Sequence, residues 1–372
     1  MITKFAHTMA YPDEMSALIF LVSADRYSAL HKWLLNLPLN QMGNRAIELI
    51  DLTSEWMVDV AHMRSGRDCM VNHFNHAETV DKIWCSLNPH AKEWWDLLDI
   101  STKQSIELPA LPGIEDLTRL IYLSEKIENA ADNYHIVIVL PQPIHAAKLL
   151  KMAQQGPDLI DQLLEPLLNW WDSTRQTLAT VEKIFRLNLP SSQQLRLNNS
   201  WKSRLLRLQE TINNKSNHHL SFLLDSTDLS HEQVMNRLGV LSICDSIPHC
   251  VSLVGLETSI AEEINTSFTD SPMIISQSIV APDLATQLQK ANRHKSLETK
   301  ILDSENKTIK MFLPGIRKEE LNIQQVAHVI HFVYMGHHRA IELPEEFESA
   351  TCERAQISSG WLTMYFRSDW WI

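Results

Sequence analysis

The sequence predicts an α/β body on a mostly parallel sheet, with a helical insertion, followed by a small antiparallel β domain. Three observations predict it. Short apolar runs of strand length alternate with longer helical patterns through the first two-thirds. Residues 144–215 are helical and apolar with no run of strand length. From about residue 300 the hydrophobic period changes to two.

The strands of the body are expected at 17–23, 46–53, 104–109, 134–140, 219–224 and 249–255. The first, Ala-Leu-Ile-Phe-Leu-Val-Ser, is apolar at consecutive positions, as for a strand buried on both faces. Pro12-Asp13 breaks a possible helix before it. A helix is expected over 228–240, with Asp228 or Ser230 as its cap and Gly239 near its end. Within 144–215, Leu159, Leu163, Leu164, Leu167, Trp170 and Trp171 fill more than one narrow stripe. So wide an apolar arc is either ordinary core or a surface for an apolar client.

In the last segment Ile309, Met311 and Leu313 alternate with Lys310 and Phe312. Ile330, Phe332 and Tyr334 do the same, as do Leu362, Met364 and Phe366. Pro314-Gly315 and Gly336 supply turns, and a sandwich over 300–369 is expected. The body then covers 1–295, and polar residues 292–303 read as a linker.

Composition narrows the function. The net charge of −12 argues against nucleic acid, because phosphate binding needs a basic face. No apolar run reaches membrane-span length, and the N-terminus lacks a signal-peptide pattern. Five cysteines without a CxxC pair fit reduced thiols in a cytoplasmic protein. Cys69, His73 and His76 have ligand-like spacing but no evident fourth ligand, so no metal is expected. No GxSxG elbow is present.

The C-terminal stretches "IKMFLPGIRKEELNIQQ", "GHHRAIELPEEF" and "WLTMYF" resemble the small-heat-shock (α-crystallin-like) domain that ends many ArsA-type ATPases of cyanobacterial type. In the body, "LVSADRYSAL" resembles that family's "LVSTDPAHSL", and "ELPALPGIEDLTRL" its "EL-x-x-LPG" segment. "PIHAAKLL" is similar to "PTGHTLRLL", and "SIPHCVSLVG" to "GIPVRGVVVN". The family includes arsenite-pump ATPases and ATPases that shield tail-anchored membrane proteins.

The resemblance implies a P-loop-NTPase-like fold and a nucleotide site with ATP and magnesium. It also implies that the site is degenerate. Matching "LVSAD" to "LVSTD" puts the end of the "KGGxGKT" loop at Thr3, so its strand and glycines are expected to be missing. Asp25 matches the family's first aspartate, but Lys32 stands where the water-positioning aspartate is implied. A lysine there is a poor base at neutral pH. Leu140 stands at the magnesium-side aspartate and Gly255 at the adenine-contacting asparagine, while His145 and Lys148 match the switch histidine and basic residue.

The expected function is that of a pseudo-ATPase without catalytic residues or cofactor, binding an apolar segment or a protein partner. A homodimer or a heterodimer with an active paralogue is among the expected assemblies. One alternative is an active ATPase whose P-loop lies upstream of Met1. Another is a structural role, with the β domain as an oligomerisation module.

Overall fold

The computed structural model describes residues 18–24, 30, 46–53, 69–87, 114–130, 134–156, seven positions between 165 and 176, and 199–214. It also describes residues 218–225, 229–254, 258–268, 271–276 and 299–368. The body is a seven-stranded sheet in which every neighbouring pair is parallel. Its strands are β1 (Leu18–Ser23), β2 (Ala46–Asp51), β3 (Cys69–His73), β4 (Tyr134–Val139), β5 (His219–Asp225), β6 (Cys250–Val254) and β7 (Ile274–Ser276). Helices α1 (His76–Leu87), α2 (Ile114–Asn129), α3 (Pro143–Gln155), α4 (Asn199–Asn213), α5 (His231–Ile243) and α6 (Thr258–Ser267) lie between them. Among the described residues no helix is long and apolar enough to cross a membrane.

The strand order is β3-β2-β4-β1-β5-β6-β7. The continuous apolar run of β1 suits its place in the middle, where Ile19, Phe20, Leu21 and Val22 have no exposed surface. Leu18–Leu21 pair with β4, and Ile19–Ser23 pair with β5. Each strand of the sheet is hydrogen-bonded to its neighbours, so no interior slot is left for another. The resemblance implies a further strand ahead of 18–23 inside the sheet; here 18–23 itself holds the central position. From β1 the chain moves past β4 to β2, whereas from β4 it crosses β1 to β5. The carboxyl ends of β1 and β4 therefore flank the topological switch point, where open α/β sheets place their ligands.

α5 starts at the expected cap. Ser230 Oγ accepts from the Gln233 amide at 3.3 Å, and Gln233 Oε1 accepts from the Ser230 amide at 3.0 Å. The helix does not stop at Gly239 but continues to Ile243. Gly239 serves a close contact instead: a Cβ there would stand 2.7 Å from the Tyr334 ring and 3.0 Å from the Gly315 carbonyl oxygen.

The C-terminal segment forms two antiparallel sheets. One contains β10 (Leu321–Val326), β11 (Val329–Tyr334) and β12 (His337–Glu342); the other contains β8 (Lys300–Asp303), β9 (Thr308–Phe312), β13 (Ala350–Ser358) and β14 (Trp361–Ser368). The expected alternation holds, with Ile330, Phe332 and Tyr334 fully buried and His331 and Val333 on the opposite face. The end of the presumed linker is strand instead: Lys300–Asp303 pair with Met311–Thr308.

This β segment is packed firmly on the body, and one continuous apolar cluster runs from Phe20 and Phe222 to Phe332 and Met364. At the junction Ser242 Oγ lies 2.8 Å from the carbonyl oxygens of Leu238 and Pro314. Arg339 donates to the Ser242 carbonyl at 3.2 Å and to the Asp245 carboxylate at 3.0 Å. Lys151 donates to the His338 carbonyl at 2.6 Å.

Candidate functional site

Ser23 ends the central strand, and Ala24 follows it at the switch point. Ala24 is committed to the fold on both sides of its backbone. Its amide donates to the Leu223 carbonyl at 2.8 Å, extending the β1–β5 ladder. Its carbonyl accepts from the Arg237 guanidinium, which reaches it from α5. A phosphate-cradling loop needs free amides and glycines at this position. The first glycine of the sequence is Gly43.

The other lip of the switch point follows β4. The Leu140 amide donates to Leu21, and the Leu140 side chain is buried at 1% exposure. Pro141 and Pro143 bracket Gln142, which starts α3 without a side-chain cap. Pro143 removes one amide from the helix N-terminus.

A polar cluster occupies the carboxyl ends of β2 and β3. Asp51 is buried at 1% exposure, and its Oδ1 accepts from the Thr53 amide at 2.9 Å and from Thr53 Oγ1 at 2.7 Å. Its Oδ2 lies 3.0 Å from His73 Nδ1. A carboxylate only accepts, so His73 carries its proton on Nδ1 and keeps a lone pair on Nε2 when neutral. The His73 side chain is 43% exposed. Tyr122 donates to the His73 carbonyl at 3.1 Å. Burial, reinforced by the carboxylates of Glu78, Asp51, Glu125 and Glu48, holds the Tyr122 phenol well above its ordinary range. Below this layer Asn72 donates to Glu48 at 2.9 Å and Lys126 to Asn72 at 2.6 Å. Burial raises Glu48 against the opposing pull of Lys126 and Asn72.

The Asp51–His73 pair orients an imidazole as a base or a cation ligand. Among the described residues no hydroxyl or thiol is hydrogen-bonded to His73 Nε2. Asp51→Asn is expected to cost about 1–3 kcal/mol, because an amide cannot accept from all three donors without presenting one of its own. Urea denaturation of the variant against the parent checks this value.

The sequence-derived positions scatter. Thr3, Asp25, Lys32 and Gly255 lie outside the described residues, as do Leu159, Leu163, Leu164, Leu167, Trp170 and Trp171. His145 and Lys148 are exposed on α3. Lys148 acts at the junction with the β segment: His337 is shifted down by burial first and then by Lys148 and Lys151. Of the three residues with ligand-like spacing, His73 turns to Asp51 and His76 to Thr118 Oγ1 at 2.9 Å. Among the described residues no three His, Cys, Asp or Glu side chains converge on a common point. The role of Arg237 has no signal in the sequence. That of Asp51 has a faint one, an acid at the end of an apolar strand. Set against known proteins, the chain matches no family model and no curated protein.

Proposed function

We propose that this chain is a non-hydrolysing binding protein of the ArsA and tail-anchored-targeting type. It is cytoplasmic, with an α/β body carrying a small-heat-shock-like β sandwich. It holds a protein partner or an apolar client segment without using ATP. The observation that carries this proposal is the state of Ala24. At the end of the central strand, where phosphate binding needs open amides, the N–H belongs to the β5 ladder and the C=O to Arg237. The buried Leu140 on the other lip supports it further.

The test is a calorimetric titration of the full chain with ATP and magnesium, alongside a phosphate-release assay. The expected result is no saturable heat and no release above background. Micromolar binding or measurable turnover overturns the proposal.

A further inference from the structure

On the exposed row of the three-stranded sheet, two histidines meet across strands. His331 on β11 stands opposite Ala340, and His338 on β12 stands opposite Val333. They are therefore diagonal neighbours on one face. His331 Nδ1 lies 3.0 Å from His338 Nε2, with the rings 24° from parallel and their centroids 5.2 Å apart. The two nitrogens face each other, and one shared proton joins them in the metal-free pair.

We propose that His331 and His338 form a binding site for a divalent transition-metal cation of borderline softness, such as Zn²⁺, Ni²⁺ or Cu²⁺. The geometry is the reason. Metal–imidazole bonds of about 2.0–2.1 Å put two ligand nitrogens about 2.9 Å apart at a right angle and about 3.3 Å apart at the tetrahedral angle. The observed 3.0 Å lies between these values; the two lone pairs now point at each other along the N–N line, so each ring swings outward to set its lone pair on one ion. The ring that donates in the free pair moves its proton to its outer nitrogen, and a neutral pair releases no net proton. No third His, Cys, Asp or Glu converges here among the described residues, so water completes the shell. Glu342 lies on the same exposed row of β12. The bound ion clips β11 to β12 on the edge of the sheet that Lys151 ties to α3.

The test is titration of the full chain with Zn²⁺, Ni²⁺ and Cu²⁺, each followed by calorimetry and by Tm. His331→Gln and His338→Gln are compared with the parent and with His328→Gln, a histidine in the β10–β11 turn. All three positions are outside the core, and metal-free Tm values report whether the variants fold. The expected result is one saturating equivalent and a raised Tm in the parent and in His328→Gln. Both are lost in His331→Gln and in His338→Gln. Absence of binding in the parent overturns the site. So does unchanged binding in both pair variants, which assigns the metal to others of the 17 histidines.

Discussion

Gly315→Ala is expected to disrupt the junction between the α/β body and the β segment, with a loss of at least about 3 kcal/mol. Gly315 has φ +82°, in the left-handed region that costs a residue with a side chain. A Cβ there would stand 2.2 Å from the Met235 carbonyl oxygen, 2.6 Å from the Gly239 nitrogen and 2.8 Å from Leu238 Cβ. Two of these three atoms are helix backbone and cannot rotate away. The wall that the methyl meets is α5, the helix that also supplies Arg237 to Ala24. Gly239→Ala meets the buried Tyr334 ring at 2.7 Å and the Gly315 carbonyl oxygen at 3.0 Å, and is expected to cost about 1–3 kcal/mol. Gly336 is the control: its φ is +79° but nothing lies within 4 Å of an added Cβ. Gly336→Ala is expected to show only the conformational cost, about 1–2 kcal/mol. Urea denaturation of the three variants gives the comparison. Equal losses for Gly315→Ala and Gly336→Ala would mean that the junction is not tightly packed.

The second large effect is on pH dependence. His219 lies on β5 at 3% exposure, and among the described residues neither of its ring nitrogens has a hydrogen-bond partner. Burial, followed by the nearby His249 and His218, pushes its pKa down to about 3. The unfolded chain protonates this ring near its ordinary pKa of 6.5. Between pH 6.5 and 3 the unfolded state therefore holds more protons than the native state. The stability contribution of neutral His219 is fully present above 6.5 and is lost as pH falls toward 3, at about 1.4 kcal/mol per unit. His337, shifted down by burial, adds a change of the same sign. His219→Leu removes the titrating group and leaves no unpaired polar atom. Its stability is expected to decline less steeply with acid than that of the parent. Parallel stability curves for parent and variant between pH 7 and 4 would remove His219 as the source.

Several elements were legible because their signals are local. The apolar runs at 17–23, 46–53, 134–140, 219–224 and 249–255 are strands β1, β2, β4, β5 and β6 to within a few residues. Burial on both faces demands unbroken apolar sequence, and that demand is visible in one chain. The period-two stretches after residue 300 were legible for the complementary reason, one face inward and one outward. β3 was not: Cys-Met-Val-Asn-His at a sheet edge is short and half polar. β8 was hidden because an exposed edge strand tolerates the charged composition of a linker. The expected strand at 104–109 lies outside the described residues. Gly239 was misread as a helix end because Gly commonly ends helices; its use for close backbone approach depends on Tyr334 and Gly315, distant in sequence.

The sequence by itself determined the α/β body, the period-two segment after it and the absence of glycine before residue 43. Each of these follows from propensity or burial pattern within a few consecutive residues. The tertiary structure alone decided that 18–23 is the central strand, since strand order is a matter of which edges find partners. It alone brought Arg237 to Ala24, His73 to Asp51 and Lys151 to His338, across 213, 22 and 187 positions of chain. Such contacts are set by how packed elements meet, and no local pattern encodes the meeting.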